Sequence, residues 1–270
     1  MRQPFEIVNP KLRRGGYRAV VFDFDGTISL LREGWARIMA EMGRELLAEQ
    51  KLNREPDEDL LAFFEREMLL LSGKPSIFQM RRLAEEVATR GGTPPVADKL
   101  LAEFLRRLLA NIQSRIDDVT SGKCRPADWT VPGTHALLDE LKRRGILLVL
   151  ASGTDRAFVE HDLALLDLAR YFGDRVHAPA NNTPNFSKRD VIEGLIRDGI
   201  PGEQLLGFGD GYSETVEMKR IGGTAIGVAS VEPPLDGVNA VKRAMLIELG
   251  ADVIVPDYQD AGALVEWLGN

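Results

Sequence analysis

The chain has 270 residues, 44% of them hydrophobic and 28% charged, enough for one large α/β domain or for a core with a smaller second domain. Its formal net charge of −7 is the opposite of the basic face a nucleic-acid binder requires, and no apolar run reaches the roughly 20 residues of a membrane-spanning helix. A lone cysteine, Cys124, excludes an internal disulfide, and the dispersed His135, His161 and His177 offer no zinc spacing.

The opening residues lack the charged-then-apolar profile of a secretory signal, so a cytoplasmic location is expected. The run Arg18-Ala-Val-Val-Phe-Asp-Phe-Asp-Gly-Thr-Ile28 predicts a buried strand through Val20, Val21, Phe22 and Phe24 that ends at Asp23 and Asp25. Open α/β sheets bind ligands beyond the carboxyl ends of their strands. Two acids at such a place need a cation.

Residues from about 32 to 116 read as helical, and Pro126 to Pro132 as the linker back. Trp35, Ile38, Met39, Met42, Leu46 and Leu47 recur at helical spacing, and Pro56-Asp57-Glu58 opens a second helix through Leu60, Leu61, Phe64, Met68 and Leu71. A break at Ser72-Gly73-Lys74-Pro75 precedes a third helix through Ile77, Met80, Leu83, Ala84 and Val87, closed by Gly91-Gly92. A fourth passes through Leu101, Phe104, Leu105, Leu108 and Ile112. These stripes predict the core of a helical bundle.

From Gly133 onward strands and helices alternate. Strands are expected at 146–150, 175–177, 205–208, 224–228 and 252–255, with helices at about 137–141, 157–168, 188–197, after 213 and at 238–249. This rhythm predicts a doubly wound parallel sheet. The division that follows is an α/β core of residues 1–30 and 128–270 interrupted by a helical domain, 31–127.

Four places along the rhythm carry polar residues where a shared crevice would lie: Asp23-Phe24-Asp25-Gly26-Thr27, Ala151-Ser152-Gly153-Thr154, Asn185-Phe186-Ser187-Lys188-Arg189-Asp190, and Gly209-Asp210-Gly211-Tyr212-Ser213-Glu214. In order and type they resemble the four signature motifs of the haloacid dehalogenase superfamily, in its aspartate-dependent phosphatase branch, which includes proteins like phosphoglycolate phosphatase and β-phosphoglucomutase. The helical insert falls where many members carry a cap.

The resemblance implies a Rossmann-like core and an Mg²⁺-dependent phosphatase acting on a small phosphorylated metabolite, a sugar phosphate or phosphoglycolate. It implies Asp23 as the nucleophile that forms an aspartyl-phosphate, Asp25 as general acid and base, and Lys188 as the cation beside them. Arg189 is the alternative in register. Ser152 and Gly153 would bind phosphoryl oxygens; Asp23, the Asp25 carbonyl and Asp210 would hold the metal through hard oxygens. Glu214, where many relatives have aspartate, would reach the metal through water or orient Lys188, with Glu217 a weaker candidate; Thr27 is a secondary one.

Specificity is expected from the cap, with Lys74 and Arg82 as candidates. Arg32, Glu33 and Trp35 are placed near the mouth, and Gln79 and Arg81 near the cap break. A phosphosugar mutase is the rival reading, and a phosphometabolite-binding module without turnover is a third. The oligomeric state is left open.

Overall fold

The structure is a computed structural model describing residues 4–180, 186–231 and 237–269. Asn185, quoted above in the third motif, lies outside the described residues.

The central sheet has strands β1 (Glu6–Ile7), β2 (Ala19–Phe22), β3 (Leu147–Ala151), β4 (Val176–His177), β5 (Leu205–Gly209), β6 (Thr224–Val228) and β7 (Val253–Val255). Their spatial order is β1-β7-β6-β5-β2-β3-β4. All pairs are parallel except β1 with β7. The chain therefore leaves β2 toward one edge, through β3 and β4, and later fills the other side with β5, β6 and β7. That reversal makes the carboxyl end of β2 the topological switch point.

Period-2 alternation explains why these segments are strands buried on both faces. Val20, Phe22, Leu148, Leu150, Leu206 and Phe208 share one core with helices α5 (Thr134–Arg143), α6 (Arg156–Leu165), α7 (Ala169–Phe172) and α11 (Ala261–Leu268). The alternate residues Ala19, Val21, Val149, Ala151 and Leu205 join a core beneath α8 (Lys188–Arg197) and α9 (Tyr212–Arg220). The remaining crossover helix, α10 (Ala240–Glu248), packs through Leu246 against Ile254.

Between β2 and β3 lie α1 (Trp35–Glu49), α2 (Asp57–Leu69), α3 (Ile77–Thr89) and α4 (Ala97–Thr120). They bury their own cluster, including Met39, Leu47, Phe64, Met80, Leu83, Phe104 and Ile112. The acids Asp57, Glu58 and Asp59 occupy the first turn of α2, where they complement the positive end of the helix dipole. The expected α/β fold with an inserted helical segment is the fold observed.

Three details differ from the sequence expectation. The long helix expected at 157–168 is broken, because Asp167 takes a left-handed conformation at φ 55° between α6 and α7. The edge strand β1, at 2 residues, is too short to show alternation, and the final helix α11, whose buried Ala261, Leu264, Val265 and Leu268 do follow helical spacing, is absent from the sequence expectation. Among the described residues no helix is long and apolar enough to cross a membrane.

Candidate active site

Register builds the site. Phe22 pairs with Leu150 on one side and Phe208 on the other, so the residues just beyond β2, β3 and β5 emerge side by side. Those residues are Asp23, Ser152 and Asp210, and all three are buried. The Asp23 N–H donates to the Phe208 carbonyl at 2.9 Å, extending the sheet by one rung and fixing where its carboxylate starts.

Asp23 Oδ1 accepts from the Phe24 N–H at 2.7 Å and lies 2.7 Å from Lys188 Nζ. Both contacts use one oxygen and leave Oδ2 outside them. Lys188, the first residue of α8, is buried and also contacts Glu214 Oε1 closely. Glu214 thus holds the lysine through one oxygen, while its Oε2 is buried without a hydrogen-bond partner. Arg189 is exposed and paired with Glu217 at 2.9 Å, so the register alternative and the weaker acid candidate occupy each other on the surface.

Burial pushes the Asp23 carboxyl above its ordinary range; Lys188 opposes that shift and Asp210 adds to it. The two acids are thus close enough to repel. Asp25 Oδ2 accepts from Thr154 Oγ1 at 2.7 Å, and its Oδ1 is buried without a partner. Burial raises the Asp25 pKa to about 7, against the lowering effects of Arg32 and the Thr154 hydroxyl.

The loop after β3 is tight. The Thr154 N–H donates to Ser152 Oγ at 3.1 Å, and a Cβ on Gly153 would stand 2.7 Å from the Lys74 carbonyl. Gly73, at φ +82°, faces the opposite wall, where a Cβ would lie 2.6 Å from Glu214 Oε1 and 3.1 Å from Lys188 Nζ. Two glycines thus let the 72–74 segment, between α2 and α3, settle on the core loops. Ser72 Oγ reaches Asp210 Oδ1 at 3.4 Å, and Ser213 Oγ donates to the Ser72 carbonyl at 3.4 Å.

A pocket of about 670 Å³, counting its solvent-open mouth, lies between the helical segment and the core. Asp23, Asp25, Ser152 and Gly153 line it from the core, and Lys74 and Gln79 from the helices. The Lys74 ammonium itself stacks 5.4 Å from the Tyr212 ring centre. Arg82 does not line the pocket: Glu67 and Glu86, each at 2.9 Å, hold it as a brace within the helical segment. Arg81 packs over Phe78. Thr27 is turned into the core, its carbonyl accepting from Tyr258 Oη at 2.8 Å.

Some site residues carry almost no sequence signal. Lys242 on α10 lies 2.8 Å from Asp210 Oδ2 and 3.4 Å from Glu33 Oε1, buried among them. Those acids hold its ammonium charged well above the usual lysine range despite the cost of burial. A single lysine on an amphipathic helix reads as surface. Thr154 had a signal, its place two residues after Ser152 in a strand-end loop, and Ser72 had the cap break.

The donor set suits a hard divalent cation. The carboxylates of Asp23 and Asp210 repel each other across the site, and the buried, unpartnered Glu214 Oε2 adds negative charge. Two side chains and the Asp25 carbonyl would hold such an ion. No cluster of three or more His, Cys, Asp or Glu that could hold a metal ion is present among the described residues.

A search of curated proteins returned no match. Among solved structures, β-phosphoglucomutase from Clostridium difficile aligns with a TM-score of 0.60 at 17% identity, covering 93% of this chain and 97% of that one. A predicted phosphoglycolate phosphatase from Haemophilus somnus aligns with a TM-score of 0.57 at 15% identity, covering 92% and 98%. A HAD family hydrolase from Deinococcus radiodurans, solved with bound phosphate and sodium, gives 0.54 at 18% identity, covering 94% and 96%. At these identities the likeness concerns the fold. The haloacid dehalogenase-like hydrolase family matches residues 17–222, and with the motifs converging as described, the chain belongs to that family.

Proposed function

We propose that this hydrolase is a phosphomonoesterase for a small phosphorylated metabolite, with residues 31–127 acting as a lid over a core of 1–30 and 128–270. The observation that carries this reading is the pairing of Asp23 with Asp25. Burial raises both, but Lys188, 2.7 Å from Asp23, opposes that rise on one, while the other, hydrogen-bonded by Thr154, is lifted to about 7. Two carboxyls with such divided environments suit a nucleophile and a proton carrier.

Asp23 Oδ2 attacks phosphorus, the bond from phosphorus to the ester oxygen breaks, and Asp25 gives its proton to the departing alkoxide. Water then attacks the aspartyl-phosphate, Asp25 takes the water's proton, and inorganic phosphate leaves with Asp23 restored. Ser152 and the Gly153 amide bind phosphoryl oxygens. Lys188, fixed by Glu214, offsets the charge of Asp23 and the phosphate. Mg²⁺, held by Asp23, Asp210 and the Asp25 carbonyl, would supply charge neutralisation for the dianion. The 72–74 segment excludes water from above.

The test is release of phosphate from p-nitrophenyl phosphate and a panel of phosphometabolites, followed together with any isomerised product. Phosphate released by the wild type and not by Asp23→Asn supports the reading. Isomerised product without net phosphate would replace it with a mutase, and tight binding with no turnover with a binding module.

A further inference from the structure

Arg32 is 3% exposed, although its place in the sequence suggests the solvated mouth of a cleft. Its Nε donates to Asp162 Oδ2 at 2.6 Å, and its guanidinium stacks 4.8 Å from the Phe158 ring centre. Asp162 is itself fully buried and takes a second contact from His161 Nδ1 at 2.9 Å. The backbone on either side is pinned too, since Arg115 Nη1 donates to the carbonyls of Leu31 and Glu33, each at 3.1 Å. The fork is held rigidly by one nitrogen, and among the described residues Nη1 and Nη2 have no hydrogen-bond acceptor.

That fork lines the pocket shared by Asp23 and Asp25. Thr154, which hydrogen-bonds the Asp25 carboxyl, lines the same pocket. Gln79 lines the same pocket, is 4% exposed, and has its Oε1 buried without a partner. Much of the remaining wall is apolar: Trp35, Met39, Phe104, Leu105 and Leu108. The Gln79 oxygen left unpaired in such surroundings is costly unless a ligand completes it, and Arg32 lines the same pocket.

We propose that Arg32 and Gln79 form a recognition site for the leaving group, and that the substrate is a phosphomonoester whose alcohol carries a carboxylate and a neighbouring hydroxyl. A carboxylate matches the two free nitrogens of the fork. A second phosphate fits less well, because Asp162 already offsets the guanidinium charge and a dianion leaves twice the uncompensated charge that a carboxylate does. The hydroxyls of an uncharged sugar pair with the fork only as neutral acceptors, more weakly than a carboxylate does. Gln79 supplies the acceptor for the hydroxyl. The choice of a phosphomonoester rests on the phosphatase reading; recognition of the carboxylate is testable without it.

The experiment measures binding by calorimetry to the Asp23→Asn protein, which retains the ligand without turnover. The probes are phosphoglycolate against 2-hydroxyethyl phosphate, 3-phosphoglycerate against glycerol 3-phosphate, 3-phosphoglycerate against 3-phosphooxypropanoate, and ethanediol bisphosphate. Each carboxylate binds at least about tenfold tighter than its uncharged partner, as a charged hydrogen-bonded pair requires. Arg32→Gln combined with Asp162→Asn, which avoids a stranded buried carboxylate, brings that ratio to within about twofold. Gln79→Leu removes the preference for phosphoglycerate over phosphooxypropanoate and leaves the carboxylate preference. Equal affinity within the charged and uncharged pairs, a preference that survives the double variant, or tighter binding of the bisphosphate overturns the proposal. Failure of the wild type to release phosphate from any probe, with the binding preference intact, would instead refute the phosphatase reading alone.

Discussion

The hydroxyl of Thr154 sets the pH at which the proposed proton donor works, and Thr154→Val tests this. Thr154 Oγ1 donates at 2.7 Å to Asp25 Oδ2, in a site where burial has already raised Asp25 to about 7. Such a bond favours the carboxylate over the neutral acid. A charge-assisted hydrogen bond is worth about 1.5–3 kcal/mol, and one pKa unit is about 1.4 kcal/mol, so at the lower end of that range its loss moves Asp25 up by about one unit. Valine keeps the volume, and the backbone Thr154 N–H bond to Ser152 is unaffected by the change. The assay is kcat/KM against pH. Asp25 donates a proton in the first step, so the rate falls as pH rises through its pKa; the basic limb moves from about 7 to about 8, and at pH 8 the variant gains about fivefold relative to its own plateau when compared with the wild type. A basic limb that stays in place or moves down would refute this assignment of the proton donor.

The same shift predicts how stability depends on pH. The folded protein holds the Asp25 proton up to about pH 7, whereas the ordinary carboxyl releases it near 3.8; the native state therefore binds more protons between these values, and stability falls as pH rises through that window. Asp25→Asn removes the ionisation cost, so denaturant unfolding at pH 8 shows a gain of up to about 4 kcal/mol that is absent at pH 4. Identical gains at both pH values would contradict it. Lys242→Met removes an ammonium 2.8 Å from Asp210, and Mg²⁺ binding measured by calorimetry tightens about tenfold or more, because cation repulsion in a buried site is lost; unchanged or weaker binding assigns Lys242 a structural role only. Gly73→Ala places a methyl group against Glu214 at a positive φ, and phosphate release drops tenfold or more as Lys188 is displaced; wild-type rates would show that the 72–74 contact is dispensable. EDTA abolishes phosphate release and added Mg²⁺ restores it, an outcome reversed if the metal has no part in turnover.

The helical insert shows how far periodicity carries. The i, i+4, i+8 stripe of Leu60, Phe64 and Met68 is enough to predict α2 and its buried face, because helix formation is governed by neighbours three and four residues away. Arg82 shows the limit. Its charge and its place near the cap break suggested a role facing ligand, but Glu67, fifteen residues earlier, and Glu86 claim it. The Glu86 pair is an i,i+4 contact that spacing offers; the Glu67 pair joins two helices, and that choice depends on how they pack.

By itself the sequence determined the α/β alternation, the inserted helices, and the strand-end acids Asp23, Asp25 and Asp210 with Ser152 and Lys188, since each of these is written in short-range pattern and ordered motifs. Only the tertiary structure decided the partners: Glu214 on Lys188, Thr154 on Asp25, Lys242 on Asp210, and Arg32 drawn into the pocket by Asp162, 130 residues away. The physical reason is the parallel sheet. Its crossovers bring distant loops to one edge, and burial there turns ordinary lysines, threonines and arginines into groups that set charge and recognition.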